Sequence, residues 1–302
     1  SVRRMDFMLN QNNHKNTAPI SVIIPCYNCS KTLLECVTSV LNQTLLPSEI
    51  LLLDDCSSDL GATKKCMEEV KFKYGDQINI KTFFSDTNNG PGSTRNLGWE
   101  KSKNSYIAFL DSDDAWEPNK IMFQWNYLKE NPEVQIVGSN IKETEICPQE
   151  PMNKVFKPLK PKDLLFKNPY CNSSVVLAKN IPYRFEEKSY FSEDFMLWAK
   201  IICDQKLQAF YLPYKFSSEV LTLNKTEGLS TNYLKMFLGE LKVLKYISKR
   251  HFNLVCNNQN PMFLKRQAWV NYQKDYNPLI FLDHTGSFLI LSLQVLAHLY
   301  TF

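Results

Sequence analysis

Three carboxylates, those of Asp111, Asp113 and Asp114, stand together at the end of the apolar run YIAFL. Like charges this close repel each other, and a bound cation removes the repulsion. Carboxylate oxygens are the ligands that Mn²⁺ and Mg²⁺ prefer, so the cluster predicts either a site for one of these metals or an acidic surface turn. A calcium loop of the EF-hand type does not fit, because Trp116 stands where that loop needs glycine and Met122 where it needs glutamate.

Polar and acidic residues also follow three other predicted strands. The four strand ends read PCYN, DDCSSD, SDTNNGPG and DSDD, and segments with apolar residues at helical spacing separate them. This alternation predicts an α/β domain with a mainly parallel sheet and helices on both faces. Ligands of such sheets bind outside the carboxyl ends of the strands, which favours the metal site over the surface turn.

The alternation divides the chain into segments. Residues 1–18 are polar and aperiodic, which predicts a loose N-terminal tail. Residues 19–228 form the predicted α/β domain, with one half over 19–116 and a second half over 117–228. The strongly periodic YLKMFLGELKVLKYISKR predicts that residues 229–302 form a helical appendage.

The composition limits the class of protein. The 302 residues are 44% hydrophobic and 22% charged, which is typical of a soluble globular chain. A net charge of +4, without an arginine stripe interleaved with aromatic residues, argues against a nucleic-acid partner. Nine cysteines outside any disulfide framework, and no opening signal peptide, predict a reducing, cytoplasmic location. Cys26 and Cys29 form a CxxC without a second ligand pair, which argues against zinc.

The C-terminal stretch Ser287–Phe302 is apolar but shorter than the roughly 20 residues of a transmembrane helix. It favours either a helix packed on the core or an interfacial helix on the inner face of a membrane. The sequence does not distinguish the two.

Taken together, six segments resemble glycosyltransferase family 2, the inverting nucleotide-sugar enzymes of GT-A fold. In chain order they are SVIIPCYN, SVLNQT, EILLLDDCSSD, NNGPGSTRNLG, YIAFLDSDD and SEDFMLW. The resemblance covers Ser21 to about Trp198, well over half of the chain. It implies the GT-A fold for residues 19–228, with the nucleotide bound by the first half and the acceptor by the second.

The resemblance assigns the DxD motif to Asp111-Ser112-Asp113. Asp113 would be the principal ligand of Mn²⁺ or Mg²⁺, and Asp111 would lie near the ribose or the metal. Asp114 also matches the family and is the alternative metal ligand of the adjacent pair. The metal would bridge the donor diphosphate and neutralise charge on the leaving nucleotide. Ser112 would border the nucleotide-sugar.

The base-binding residues follow from the first two strand ends. The resemblance gives Asp55 the role of accepting the N3–H of uracil, a proton that cytosine lacks. Asp54 is interpreted as a turn residue. Pro25 and Asn28 would border the same pocket, and Tyr27 would stack on the base.

NNGPGSTRNLG fails as a dinucleotide-binding fingerprint, because Arg95 occupies the third glycine position. The family pattern instead requires Gly90, Arg95, Asn96 and Gly98, and all four are present. Arg95 would offer a charged fork to ribose or diphosphate. Lys225 would replace the family's usual basic residue over the diphosphate, without a bidentate fork.

SEDFMLW supplies the catalytic acids. Inverting transfer needs one general base to take the proton of the acceptor hydroxyl, and the resemblance gives that role to Asp194 with Glu193 beside it. Two acids at a helix N-terminus are the structural alternative.

The resulting prediction is a metal-dependent inverting glycosyltransferase of hexosyl type. It would move a sugar from a UDP-sugar to a hydroxyl of a saccharide or lipid-linked acceptor, in the synthesis of a surface glycan or polysaccharide. The alternatives are a non-catalytic nucleotide-binding protein on the same fold and a sugar-nucleotide pyrophosphorylase. The second would carry a glycine-rich loop with a lysine after the first strand, and PCYNCSKT has no glycine.

Overall fold

The computed structural model describes residues 17–140, 142–146, 148, 156–165, 167–220 and 233–250. Residues 1–16, 221–232 and 251–302 lie outside the described residues. The predictions made for Lys225, for most of the N-terminal tail and for the apolar C-terminal stretch lie in these residues and therefore stay predictions. None of the described helices combines the length and apolar composition needed to cross a bilayer.

The first half is a parallel α/β unit, as its alternation predicts. Its elements are β1 (Thr17–Cys26), α1 (Leu33–Leu41), β2 (Leu46–Asp54), α2 (Ala62–Tyr74), β3 (Asn79–Phe84), α3 (Pro91–Lys101) and β4 (Tyr106–Phe109). β1 lies between β2 and β4, and β3 is the outer strand next to β2. All of these pairs are parallel. The continuous apolar runs of β1 and β2 are buried on both faces, as central parallel strands require.

The second half extends the same sheet with mixed strand directions. The elements that follow β4 are β5 (Asp114–Trp116) at the end of the first half, α4 (Lys120–Glu130), β6 (Val134–Gly138), β7 (Lys157–Pro158), β8 (Val176–Ala178), α5 (Glu193–Ile202), β9 (Gln208–Tyr211) and β10 (Ser217–Glu219). Short 3₁₀ turns lie at Pro161–Leu165 and Asn172–Ser174, and α6 (Tyr233–Arg250) lies in the predicted helical appendage. The sheet order is β3-β2-β1-β4-β8-β6-β9-β7. β8 runs antiparallel to β4 and to β6. A separate antiparallel pair joins β5 to β10.

Alternate residues of the central strands form two cores. Ile20, Val22 and Ile24 of β1 pack with buried residues of α1, α2 and α4. On the other face, Ile23 lies so close to α3 that a Cβ on Gly98 would come within 2.5 Å of it. The helices therefore cover both faces of the sheet.

An aromatic chain builds the second core beneath α3 and α5. Ring centroids are 5.7 Å apart for Trp99–Phe109, 5.3 Å for Phe109–Phe185, 6.1 Å for Phe185–Trp198 and 5.8 Å for Trp198–Tyr170. These rings bury large apolar areas, and edge-to-face contacts fix their relative positions. This row of aromatic rings joins α3 of the first half to α5 of the second.

The two edges of the sheet differ in chemistry. At the amino end of β2, buried Glu49 accepts hydrogen bonds from Ser21 at 2.7 Å and Lys81 at 2.5 Å. At the carboxyl edge the backbone is left-handed at Asn28 (φ 51°), Cys56 (φ 59°) and Ser192 (φ 54°). Such backbone angles are unfavourable for residues other than glycine, and they cluster at functional sites.

Candidate active site

The acidic residues that open the sequence argument form a turn at the end of β4. The backbone N–H of Leu110 still bonds to the Ile23 carbonyl at 3.1 Å, so the chain leaves the sheet only at Asp111. The N–H of Asp114 then donates to the Asp111 carbonyl at 2.9 Å and closes the turn. Asp114 begins β5 and pairs with Glu219 of β10. Pairing with β10 fixes the acidic turn against the second half.

Ser173 holds this turn from the other side. Its hydroxyl accepts the backbone N–H of Asp111 at 3.1 Å and donates to Oδ2 of Asp114. Its carbonyl accepts the indole N–H of Trp116 at 2.7 Å. One residue thus fastens both ends of the acidic turn, and no sequence motif marks it.

The donor set of the turn fits Mn²⁺ or Mg²⁺. Asp113 and Asp114 are partly exposed, and the Asp111 side chain keeps 31% of its surface. Among the described residues, no group of three His, Cys, Asp or Glu side chains is arranged to hold an ion by itself. Mg²⁺ commonly binds one or two carboxylates together with substrate phosphates, so the turn fits a metal shared with a diphosphate.

Arg95 of α3 links the acidic turn to α5. Its Nη2 donates to Oδ1 of Asp111 at 2.6 Å and its Nη1 to Oε1 of Glu193 at 3.0 Å. The guanidinium also lies 5.4 Å from the ring of Phe185 and is buried. Burial opposes the charge, but the two carboxylates raise the pKa of Arg95 above its ordinary value. The predicted fork to ribose or diphosphate therefore binds protein carboxylates in this structure.

Asn96 has a positioning role next to it. Its amide nitrogen donates to the Phe185 carbonyl at 2.9 Å, and its amide oxygen accepts the Phe185 N–H at 3.0 Å. Both polar ends of Asn96 hold the loop that leads to α5. A contact with the nucleotide-sugar remains a prediction.

Asp55 binds the loop before α3. Its Oδ1 accepts the N–H of Asn89 at 2.9 Å and its Oδ2 the N–H of Gly90 at 2.8 Å. Gly90 has φ 85°, and a Cβ there would come within 2.8 Å of the Tyr190 ring. Each carboxylate oxygen keeps a second lone pair, so Asp55 can accept a further hydrogen bond. Its role toward uracil remains a prediction.

The end of β1 forms a polar rim around this region. Asn28 receives the Ser58 N–H on its Oδ1 at 2.8 Å and donates its own N–H to Ser57 at 2.9 Å. Asp54 accepts the N–H of Ser57 at 3.3 Å, the turn role expected for it. Tyr27 is 49% exposed, which leaves its ring accessible to a base.

Two further predicted residues lie along the same edge. Pro25 pairs with Leu53 in the sheet, next to the left-handed turn at Asn28. Ser112 lies within hydrogen-bonding reach of the Cys29 thiol, between the ends of β1 and β4. The structure thus brings residues from the ends of β1, β2 and β4 to one edge.

The carboxylate of Asp194 lies in the first turn of α5, next to the Arg95 bridge. Its Oδ1 accepts the N–H of Phe195 at 2.6 Å and its Oδ2 the amide N–H of Asn168 at 3.0 Å. Burial raises the pKa of Asp194 to about 7, and the charge of Glu193 adds to this effect. The hydrogen bonds and the charge of Arg95 act in the opposite direction. A carboxylate with this pKa can exchange protons near neutral pH.

Glu193 has a different environment from its neighbour. It is buried, and its Oε1 accepts the guanidinium of Arg95. Of the two adjacent acids, Glu193 is thus paired with a cation, whereas Asp194 has a pKa raised to about 7. Pairs of acids with different environments are typical of acid–base sites.

The site also contains residues that sequence reasoning missed. They are Asn168, Ser173, Phe185 and Tyr190. Asn168, Phe185 and Tyr190 lie in segments without helical or strand periodicity, and Ser173 opens the strand-like run SSVVLA, which carries no site motif. Only their positions in the fold connect them to the motifs.

The chain is similar to known proteins both in its family pattern and in its sequence. The family model described as "Glycosyl transferase family 2" matches residues 21–190, more than half of the chain. An uncharacterized glycosyltransferase of Haemophilus influenzae is 37% identical over 124 residues, 41% of this chain and 48% of that protein. Escherichia coli WfaP, named as a UDP-Glc:alpha-D-GlcNAc-diphosphoundecaprenol beta-1,3-glucosyltransferase, is 30% identical over 249 residues, 78% of this chain and 90% of that protein. The chain spans about half or less of the length of the first curated relatives it matches.

A solved structure supports the fold. Staphylococcus aureus TarS, as a fragment in complex with UDP-GlcNAc, has a TM-score of 0.57 at 20% identity. The alignment covers 78% of this chain and 72% of that chain. At this identity the likeness is evidence for the fold alone.

Proposed function

Because the chain belongs to glycosyl transferase family 2, with the GT-A fold predicted from its sequence, we propose that it transfers a sugar from a UDP-sugar to a hydroxyl of a saccharide acceptor, with inversion. The observation that carries this proposal is the carboxylate of Asp194. It has a pKa raised to about 7 and lies one residue from the buried Glu193–Arg95–Asp111 bridge. This adjacency supports the proposal, in which Asp194 is the base and the acidic turn binds the donor.

The reaction is a single displacement at the anomeric carbon. Asp194 takes the proton of the acceptor hydroxyl. At the same time the hydroxyl oxygen forms the new bond to the anomeric carbon, and the bond between the sugar and UDP breaks. A base is most effective when its pKa lies near the working pH, which matches a value of about 7. Arg95 holds Asp111 and Glu193 in place during this step rather than moving a proton.

The charge of the departing UDP needs a counter-charge. Asp113, with Asp111 and Asp114 beside it, would hold a Mn²⁺ or Mg²⁺ ion, whose charge would neutralise the diphosphate of the departing UDP. Support for this assignment comes from the partly exposed carboxylates of the turn and their rigid attachment to Ser173.

The donor base would lie at the ends of β1 and β2. Tyr27 offers an exposed ring for stacking, and Asp55 keeps lone pairs for the uracil N3–H. Pro25, Asn28 and Ser112 border this region.

The similarity to WfaP guides the choice of first substrates. WfaP is named for UDP-glucose and a GlcNAc-diphospho-lipid, and this chain covers 90% of it. We therefore propose a lipid-linked saccharide as acceptor and a role in glycan assembly at the cytoplasmic face of a membrane. Membrane contact would come from the apolar stretch Leu289–Phe302. A truncated protein lacking that stretch that still sediments with vesicles would exclude it.

The test combines UDP release with calorimetric titration of UDP. Wild-type protein with Mn²⁺, UDP-glucose and a synthetic GlcNAc-diphospho-lipid should release UDP and form a disaccharide. Asp194→Asn should lower the rate by about 10²–10⁴-fold and leave UDP affinity unchanged, because general-base catalysis contributes that much. Asp113→Asn should abolish the Mn²⁺-dependent part of UDP binding. Asp76→Asn, an exposed acid at the end of α2, is the matched control and should alter neither.

The rival functions predict other outcomes. A non-catalytic nucleotide-binding protein would bind UDP without releasing it from any donor of a UDP-sugar panel. A pyrophosphorylase would form UTP from UDP-glucose and pyrophosphate. An Asp194→Asn protein with full transfer activity would contradict the assignment of the base.

A further inference from the structure

The carboxylate of Asp194 is oriented by one donor on each oxygen. The Phe195 N–H fixes Oδ1 from within α5, and the Asn168 amide fixes Oδ2 from a loop of the second half. Asn168 is therefore the residue outside α5 whose amide holds the plane of this carboxylate.

Two further hydrogen bonds fix Asn168 itself. Its side-chain oxygen accepts the N–H of Tyr170 at 3.3 Å, and its backbone carbonyl accepts the amide of Asn140 at 2.9 Å. Because the amide oxygen faces an N–H and the amide nitrogen faces a carboxylate, both ends of the side chain require the same orientation. A flipped amide would place an oxygen against Oδ2 of Asp194.

Aromatic packing fixes the distance between the loop and the helix. Tyr170 is buried, donates its hydroxyl to the Phe210 carbonyl at 2.8 Å, and packs edge-on against Trp198. Trp198 lies one turn after Asp194 on α5. The same contact that joins loop to helix therefore places Asn168 against the carboxylate.

The charges around Asp194 show what a neutral donor contributes. Glu193 on the same helix disfavours a second negative charge, while Arg95 from α3 favours it but is already paired with Glu193 and Asp111. An amide stabilises the ionised carboxylate without adding a full positive charge, which would leave too weak a base.

From this geometry we propose that Asn168 is a positioning residue, which acts on Asp194 by stabilising the ionised form of its carboxylate. The inference rests on the proposed function, in which Asp194 is the base. It adds a residue that acts through Asp194 and does not itself contact the reacting atoms.

The test reads the carboxylate directly. The protein is labelled with ¹³C at aspartate carboxyl carbons and titrated by NMR, and the Asp194 signal is identified by its loss in Asp194→Asn. In Asn168→Ala the titration should move upward by about one pH unit, because a hydrogen bond to an ionised group is lost. Asn168→Asp keeps the shape of the side chain but replaces the donor by a second carboxylate, so it should raise the pKa of Asp194 further. This variant remains informative if alanine loosens the loop.

The rate profile is the second readout. With UDP-glucose and the GlcNAc-diphospho-lipid, kcat/KM of Asn168→Ala should fall about tenfold at pH 6 and recover to nearly the wild-type value at pH 9, as the one-unit shift requires. Asn131→Ala is the matched control, because it removes an asparagine amide that donates to the Tyr127 carbonyl at the end of α4 rather than to Asp194. It should leave the titration of Asp194 unchanged.

Each result decides between the two claims. An unshifted Asp194 titration in both Asn168 variants would overturn the inference while leaving the proposed function intact. An equal loss of rate at every pH would also overturn it, since that is the mark of a merely structural residue. Full activity of Asp194→Asn would instead overturn the proposed function, and with it the role given to Asn168.

Discussion

Replacing Arg95 by methionine tests whether the bridge between the acidic turn and α5 holds the site together. Methionine keeps an apolar side chain at this position, but it removes the guanidinium that lies over the Phe185 ring and with it both ion pairs. Glu193 then remains as a buried carboxylate without its cation. We expect a large loss of stability, because an uncompensated buried charge is among the most unfavourable changes in a protein interior.

The magnitude follows from the exposure of the partners. The Glu193 side chain is 8% exposed and that of Arg95 is 5%, so removing the guanidinium should cost about 3–5 kcal/mol. Asp111 is 31% exposed, and solvent screens most of its contribution. At roughly 2–4 °C per kcal/mol for a domain of this size, the thermal midpoint should fall by about 10 °C.

The assay is thermal unfolding of Arg95→Met, Glu193→Gln and the double variant. The double variant should recover at least half of the loss, because glutamine removes the uncompensated charge. Lys65→Met is the control, since it breaks the exposed pair with Glu69 (79% and 66% exposed) and should not move the midpoint measurably. If Arg95→Met unfolds like wild type, or the double variant shows no recovery, the bridge does not stabilise the site.

Two further substitutions test other parts of the fold. Although burial raises it, hydrogen bonds from Lys81 and Ser21 leave the pKa of Glu49 below its ordinary value, so its stabilisation is present at neutral pH and lost as the pH falls through the folded pKa. Glu49→Gln should therefore lower stability by about 1–3 kcal/mol at pH 7, with the difference from wild type closing below about pH 4 in urea titrations; a constant difference would refute the charge argument. Ser173→Ala should weaken Mn²⁺-dependent UDP binding about fivefold or more by calorimetry, because it releases the acidic turn. Ser139→Ala, whose buried hydroxyl has no partner among the described residues, should not, and equal effects of the two would place the cause elsewhere.

Much of the first half could be predicted from sequence. The apolar runs of β1 and β2 and the helical spacing between them identify a parallel α/β unit, because local periodicity reflects which faces are buried. The same reasoning brings Asp55 and Asp111 to one edge, as the structure shows.

The second half shows where local signals end. The three-residue strand β8 runs antiparallel to β4, and nothing in the run SSVVLA encodes the direction of a strand. The strand β5 forms only because β10, about a hundred residues later, pairs with it. These pairings depend on long-range contacts rather than on periodicity.

The candidate site shows the same division. Sequence could name Arg95 and Asp194, but it could not show that Arg95 binds Glu193, 98 positions away. The pKa of Asp194 is raised first by burial and then by the charge of Glu193, and hydrogen bonds such as that of Asn168 lower it. Glu193 is part of the SEDFMLW motif, but neither the burial nor Asn168 can be read from it. The sequence motifs could identify candidate site residues, whereas the partners that bind those side chains and change their pKa could not be predicted.

The left-handed residues at the carboxyl edge have a consequence for efforts to make the protein more heat-resistant. Asn28, Cys56 and Ser192 each hold a backbone conformation that costs about 1–3 kcal/mol for a residue with a side chain. Glycine at these positions is an obvious route to a higher melting temperature. Yet Ser192 immediately precedes the two acids of α5, and Asn28 ties the end of β1 to Ser58. Thermostabilised variants selected by heat alone should therefore accumulate glycine at this edge and lose turnover, so selection should be made on both properties together.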